Sequence, residues 1–158
     1  MSDDETPKER VDRELGELLQ GLRVAVTGVQ VLFAFLLTVP FASGAGRVTG
    51  AHGWLFYVAL LGAAVASVAY IAPAAQHRIL FRTGNKEALL RRSNRFGVAG
   101  SLSLGTSMTA AAALVVDVLF DARLAVVTGA VIAALALWAW LVEPLLTRAW
   151  AADSPPRP

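Results

Sequence analysis

The 158-residue chain contains no cysteine. That absence excludes disulfides, thiolate metal sites, thiol nucleophiles and thioether-linked haem. Charge is scarce as well: Asp, Glu, Lys and Arg make up 16% of the residues, where a soluble domain carries about a quarter. The scarcity is concentrated. No charged residue lies between Arg23 and Arg47, Arg47 and Arg78, Arg95 and Asp117, or Arg123 and Glu143. Each gap has room for a span of roughly 20 residues, whereas a helix on a soluble core is polar along one face. Chemical motifs are missing too. No phosphate-binding loop, zincin, nucleophile elbow or dinucleotide fingerprint occurs, and Gly84-Asn85-Lys86 reads as a turn. The chain is expected not to be an enzyme and to hold no cofactor.

What is present is apolar: 56% of residues are hydrophobic. The fold class expected is all-α, an integral membrane bundle of four transmembrane helices preceded by a short amphipathic helix. Spans are expected at about 24–41, 54–75, 96–118 and 124–143, within a single domain at 9–146. Residues 1–8 and 147–158 are expected to be disordered. Over 9–22, Val11, Leu15, Leu18, Leu19 and Leu22 recur at helical spacing among charges. This reads either as a helix on the inner membrane surface or as one packed on the protein's own loop. Residues 42–53 read as a short outer loop and 76–94 as the charged inner one. Pro73, near the inner end of the second span, kinks or ends it.

Of the fourteen Lys and Arg residues, all but Arg47 and Arg123 fall on one side of this topology. That bias predicts a cell-membrane protein with both termini and the middle loop in the cytoplasm. The basic residues flank spans, so the net charge of +2 points to anionic lipid head groups and not to nucleic acid. Small residues at 41–45 resemble a signal cleavage site, but the long acidic stretch ahead of the first apolar run argues against one. Arg23 and Arg95 each open a span, a faint internal echo that chance accounts for.

Ionisable groups at membrane depth are the natural candidates for function. Asp117 is expected about 30 Å along the third span, with Asp121 four residues further on. The two could hold a cation or share a proton. More simply, Asp121 caps the fourth helix while Asp117 meets water, Arg123 or Arg47. Glu143, at the inner end of the fourth span, has Arg148, Arg91, Arg92 and Arg95 as ion-pair partners in principle. Coupling to a proton or substrate would instead require it to face a wet cavity. Gln30, with Thr27 and Gly28, can form a hydrogen-bonding seam between helices. The third span is small-sided, through Gly97, Gly100, Gly105 and its serines and threonines, and suits close helix contact. His52 and His77 fall on opposite sides and cannot jointly ligate a metal. His77, Arg78, Arg82 and Lys86 form a basic run at the inner loop, where anionic head groups, a phosphate-bearing ligand or a protein partner could use them; a site holding a head group or quinone would need His77, Arg78 and Asn94 to cluster. Trp54 and Trp150 fit the interfacial belts, and Trp138 and Trp140 lie deeper.

Residues 17–24 (ELLQGLRV) and 27–41 (TGVQVLFAFLLTVPF) resemble the opening of the actinobacterial DUF6328 family, small four-helix membrane proteins of unknown function. The resemblance continues through 71–73 (IAP), 77–82 (HRILFR), Lys86-Glu87, Asn94-Arg95 and 117–120 (DVLF). It implies the four-span topology and marks Gln30, Pro40, Pro73, His77, Arg78, Asn94 and Asp117 as positions to test. It implies no activity. An aromatic expected before His77 is replaced here by Gln76. The function expected is a non-catalytic accessory or structural membrane component, with a small oligomeric transporter or channel as the alternative. A homodimer and an unidentified membrane partner are both open.

Overall fold

The computed structural model describes residues 6–41, 50–79 and 86–153. Among them the chain is helical almost throughout, with no strand: α1 (Pro7–Thr38), a 3-10 turn (Val39–Phe41), α2 (Gly50–Ile79), α3 (Lys86–Leu119), α4 (Ala122–Leu137), a π-turn (Trp138–Val142) and α5 (Glu143–Asp153). Four stretches are long and apolar enough to cross a membrane: Glu9–Phe41, Gly50–Ile79, Ala88–Leu119 and Ala122–Trp150. The fold class is the expected one.

The first element departs from expectation. α1 is one continuous helix of 32 residues, about 48 Å long, and contains the segment expected as a separate amphipathic helix. It starts firmly. Thr6 accepts from the Glu9 N–H at 3.4 Å, while its own N–H donates to the Glu9 carboxylate at 2.9 Å. Pro7 occupies the first turn, where a missing N–H costs nothing. Continuity follows from packing. Leu15, Leu22, Val29 and Leu36 are all buried and recur every seven residues, so a single stripe runs across the expected junction and keeps the helix in register. Charges on its outer face pair along the helix, Arg10 with Glu14 at 3.0 Å and Arg13 with Glu17 at 3.2 Å.

The other helices also outrun the expected spans. α2 starts at Gly50, whose φ of 62° only glycine adopts without strain, so the end of the expected outer loop is helical. α2 continues to Ile79, and α3 begins at Lys86; residues 42–49 and 80–85 lie outside the described residues. A charge ends the part of a helix that sits in hydrocarbon, not the helix itself. At the far end, Pro144 has no N–H to offer the Trp140 carbonyl. The ladder loosens there into the π-turn, in which Glu143 N–H donates to the Trp138 carbonyl. Helix then resumes to Asp153, through part of the expected disordered tail; residues 1–5 and 154–158 lie outside the described residues.

Packing centres on α2 and α3. The buried face of α2 is small: Ala59, Ala63, Ala66 and Ala69, with Tyr70 and Pro73. A methyl on Gly62 would come within 2.9 Å of the Ser103 carbonyl oxygen, so the two backbones nearly touch. Tyr70 lies across Gly100. These pairs fix an antiparallel register. α1 packs on both helices and runs parallel to α3, with Leu22 beside Gly97. α4 lies against α3, where Gly129 faces Thr109 and Ala113, and Trp140 reaches Gly105.

Candidate functional site

The polar side chains fall at three levels, each set by the helix register. At one end, the His52 Nε2 lies 2.9 Å from an Asp117 carboxylate oxygen. His52 sits in the first turn of α2 and Asp117 in the last turns of α3, and the antiparallel register brings them together. Asp117 stands among unsatisfied carbonyls at a helix C-terminus, so a donor from the neighbouring helix is the partner it needs. The pair is partly sheltered, with side-chain exposure of 45% for His52 and 19% for Asp117. Asp121 does what a capping residue does, its carboxylate accepting the Leu124 N–H at 2.9 Å. The two aspartates therefore serve different partners and do not form a shared carboxylate site. Among the described residues, no group of three or more His, Cys, Asp or Glu could hold a metal ion.

At mid-membrane level the polar groups lie in the helix seams. Ser107, fully buried, donates to the Ala59 carbonyl across the α2–α3 contact at 2.6 Å. The Tyr70 hydroxyl and Ser101 Oγ are 3.1 Å apart, and Ser101 also bonds the Gly97 carbonyl of its own helix. Thr27, Ser67 and Thr106 each donate to a carbonyl one turn back, the usual way a hydroxyl is satisfied in lipid. Gln30 is exposed. A cavity of about 340 Å³ opens between α2, α3 and α4, lined mainly by small and apolar side chains such as Leu55, Gly105, Ala110, Ala133 and Trp140. Neither Gln30 nor Asp117 nor Glu143 lines it.

The third level is the arginine-rich end. His77 is half-buried, while Arg78 and Asn94 are exposed; the α2–α3 register brings all three to this end without making a closed pocket of them. His52 and His77 stand at opposite ends of α2, about 37 Å apart along its axis, as the topology required. Glu143 is exposed. Its carboxylate lies 3.4 Å from the Thr147 hydroxyl, and no arginine pairs with it among the described residues, contrary to the expected ion pair. Sequence reasoning missed Gln76 and Ser93: the Gln76 Oε1 and Ser93 Oγ are buried with no hydrogen-bond partner among the described residues. It named His52 but did not pair it with Asp117, which was expected to meet water, Arg123 or Arg47; the helical placement of His52 makes it the partner.

A bundle of apolar helices, with polar groups held in the seams and at the two ends, defines the chain as a multi-span helical membrane protein. A family model described as "Family of unknown function (DUF6328)" matches residues 4–144, and the chain belongs to that family. No curated protein and no solved structure matches it.

Proposed function

We propose that the protein is a non-catalytic, multi-pass component of the cell membrane that acts as an accessory or structural element, with both termini and the basic segment between α2 and α3 in the cytoplasm. The observation that carries this reading is the use made of polar groups at membrane depth. Ser107 and Ala59, Tyr70 and Ser101 join helices to one another, and the remaining bonded hydroxyls are tied to their own backbones. A transporter built from one chain would collect Gln30, Asp117 and Glu143 around one wet passage. Here they sit on three different helices, and none lines the cavity. The oligomeric transporter or channel stays as the competing reading, since a passage could form between copies. Anionic head groups are the expected partners of the basic end, each cation there contributing about 1 kcal/mol.

Native mass spectrometry of the chain extracted in its own lipids, followed by reconstitution into sealed vesicles, tests this reading. A stoichiometric second membrane polypeptide, with ion and solute flux no greater than in empty vesicles, is the expected result. A homo-oligomer that carries ions or a retained small solute across the vesicle wall would overturn it.

A further inference from the structure

Gln30 carries the one side-chain carboxamide in the hydrocarbon-level part of α1, and nothing in the described chain satisfies it. It is exposed and makes no hydrogen bond with any described residue. Its depth follows from two independent markers. Gln30 is seven residues beyond Arg23, so it lies about 10 Å past the last charged residue before the span. Leu22 beside Gly97 puts Gln30 level with Gly105, roughly 15 Å from Arg95 and 18 Å from Asp117 along α3. Both markers set the amide well inside the hydrocarbon, about 10 Å or more from either charged boundary, where neither water nor acyl chains can bond it. A glutamine there has a protein partner or bears the full cost of an unmade hydrogen bond.

We propose that the partner is a second copy of this chain, packed along α1 about a two-fold axis normal to the membrane, with the two Gln30 amides bonded to each other. A carboxamide donates and accepts, so it is complementary to itself, and a two-fold axis sets each residue opposite its own copy. Two copies inserted the same way present parallel α1 helices. The face around Gln30 has the spacing a parallel seam requires: Thr27, Gln30, Ala34 and Leu37 alternate by three and four, and all are exposed. Thr27 and Ala34 are small enough for close approach, and the Thr27 hydroxyl already bonds the Arg23 carbonyl. This stripe lies beside the Leu22–Val29–Leu36 stripe that faces α2 and α3, so one helix can serve both contacts. The inference does not rest on the accessory reading and stands equally if the protein transports.

The absence of native cysteine allows a direct test in proteoliposomes of the full-length chain. Oxidative cross-linking of Thr27→Cys, Ala34→Cys and Leu37→Cys should exceed that of Val31→Cys and Phe35→Cys on the other exposed flank. Energy transfer between labelled chains, followed as lipid dilutes them, should show Gln30→Leu self-associating roughly 3- to 30-fold more weakly. Gln30→Asn, which keeps the amide, should recover most of that loss. Leucine suits a lipid-facing position, so an unchanged helical circular dichroism spectrum separates lost pairing from lost folding. Cross-linking that peaks at Val31 and Phe35, cross-linking of equal strength at all five positions, or a Gln30→Leu chain that associates as strongly as the parent would overturn the proposal. Capture of a different polypeptide by Ala34→Cys in native membranes would overturn it too.

Discussion

His52 and Asp117 lie 65 positions apart in the chain and 2.9 Å apart in space. Their contact joins the far end of α2 to that of α3. His52→Ala and Asp117→Asn should be less than additive in equilibrium unfolding in mixed micelles. A coupling of about 0.5–1 kcal/mol is expected, because the histidine is half open to solvent. Additive losses would show that the contact contributes nothing. Ser107 acts deeper. Ser107→Ala removes the bond its buried hydroxyl makes to the Ala59 carbonyl and should lower stability by about 1 kcal/mol, whereas Thr106→Ala on the exposed side of the same helix should cost less. Glu9 bears on the start of α1. The Thr6 hydroxyl and then the Thr6 N–H hold its carboxyl below the ordinary carboxylate value of 4.5. Its contribution is therefore present above that value and is lost as pH falls through the lowered one. Amide exchange at Glu9 and Arg10 should quicken in acid relative to the intrinsic rate, and Thr6→Ala, which removes the hydroxyl but keeps the backbone N–H, should reduce that extra acid sensitivity.

At the scale of elements, α2 against α3 is the contact with least tolerance. Gly62→Ala would drive a methyl against the Ser103 backbone oxygen, which cannot rotate away, and should cost about 1–3 kcal/mol. Gly28→Ala meets open space and should leave the stability of the single chain within a few tenths of a kcal/mol, or raise it. Thermal unfolding of the two variants side by side checks the contrast. The helices were legible from the charge gaps, because an uncharged run of that length has few other uses. Their ends were not, because charge marks where hydrocarbon stops and helix can continue into water. The continuity of α1 did have a sequence signal: Leu15, Leu22, Val29 and Leu36 keep one seven-residue interval through Arg23. The capping role of Asp121 was also legible, being local. The partner of Asp117 was not, since it depends on the register of two helices and on where α2 begins. The place of Glu143 was hidden too, because the π-turn before Pro144 resets which face the residue presents.

At the scale of the molecule, each of the four stretches is longer than the roughly 30 Å of bilayer hydrocarbon. The excess gathers at the arginine-rich end, where the early turns of α1, the last residues of α2, the first turns of α3 and α5 all lie outside the charge-free runs. The result is a membrane bundle with a helical stub on one side. α5 belongs to that stub, and its Leu145, Leu146 and Trp150 are exposed, as suits an element bordering lipid head groups. In the proposed orientation four spans cross the bilayer, with the stub inside and the His52–Asp117 end outside. Because the chain has no cysteine, single cysteines can report it cleanly. The measurement is labelling of Arg10→Cys, Arg123→Cys and Arg148→Cys in intact cells by a membrane-impermeant thiol reagent. Arg123→Cys should react at once, and the other two only after the membrane is opened. Labelling of Arg10→Cys or Arg148→Cys in sealed cells would contradict that orientation.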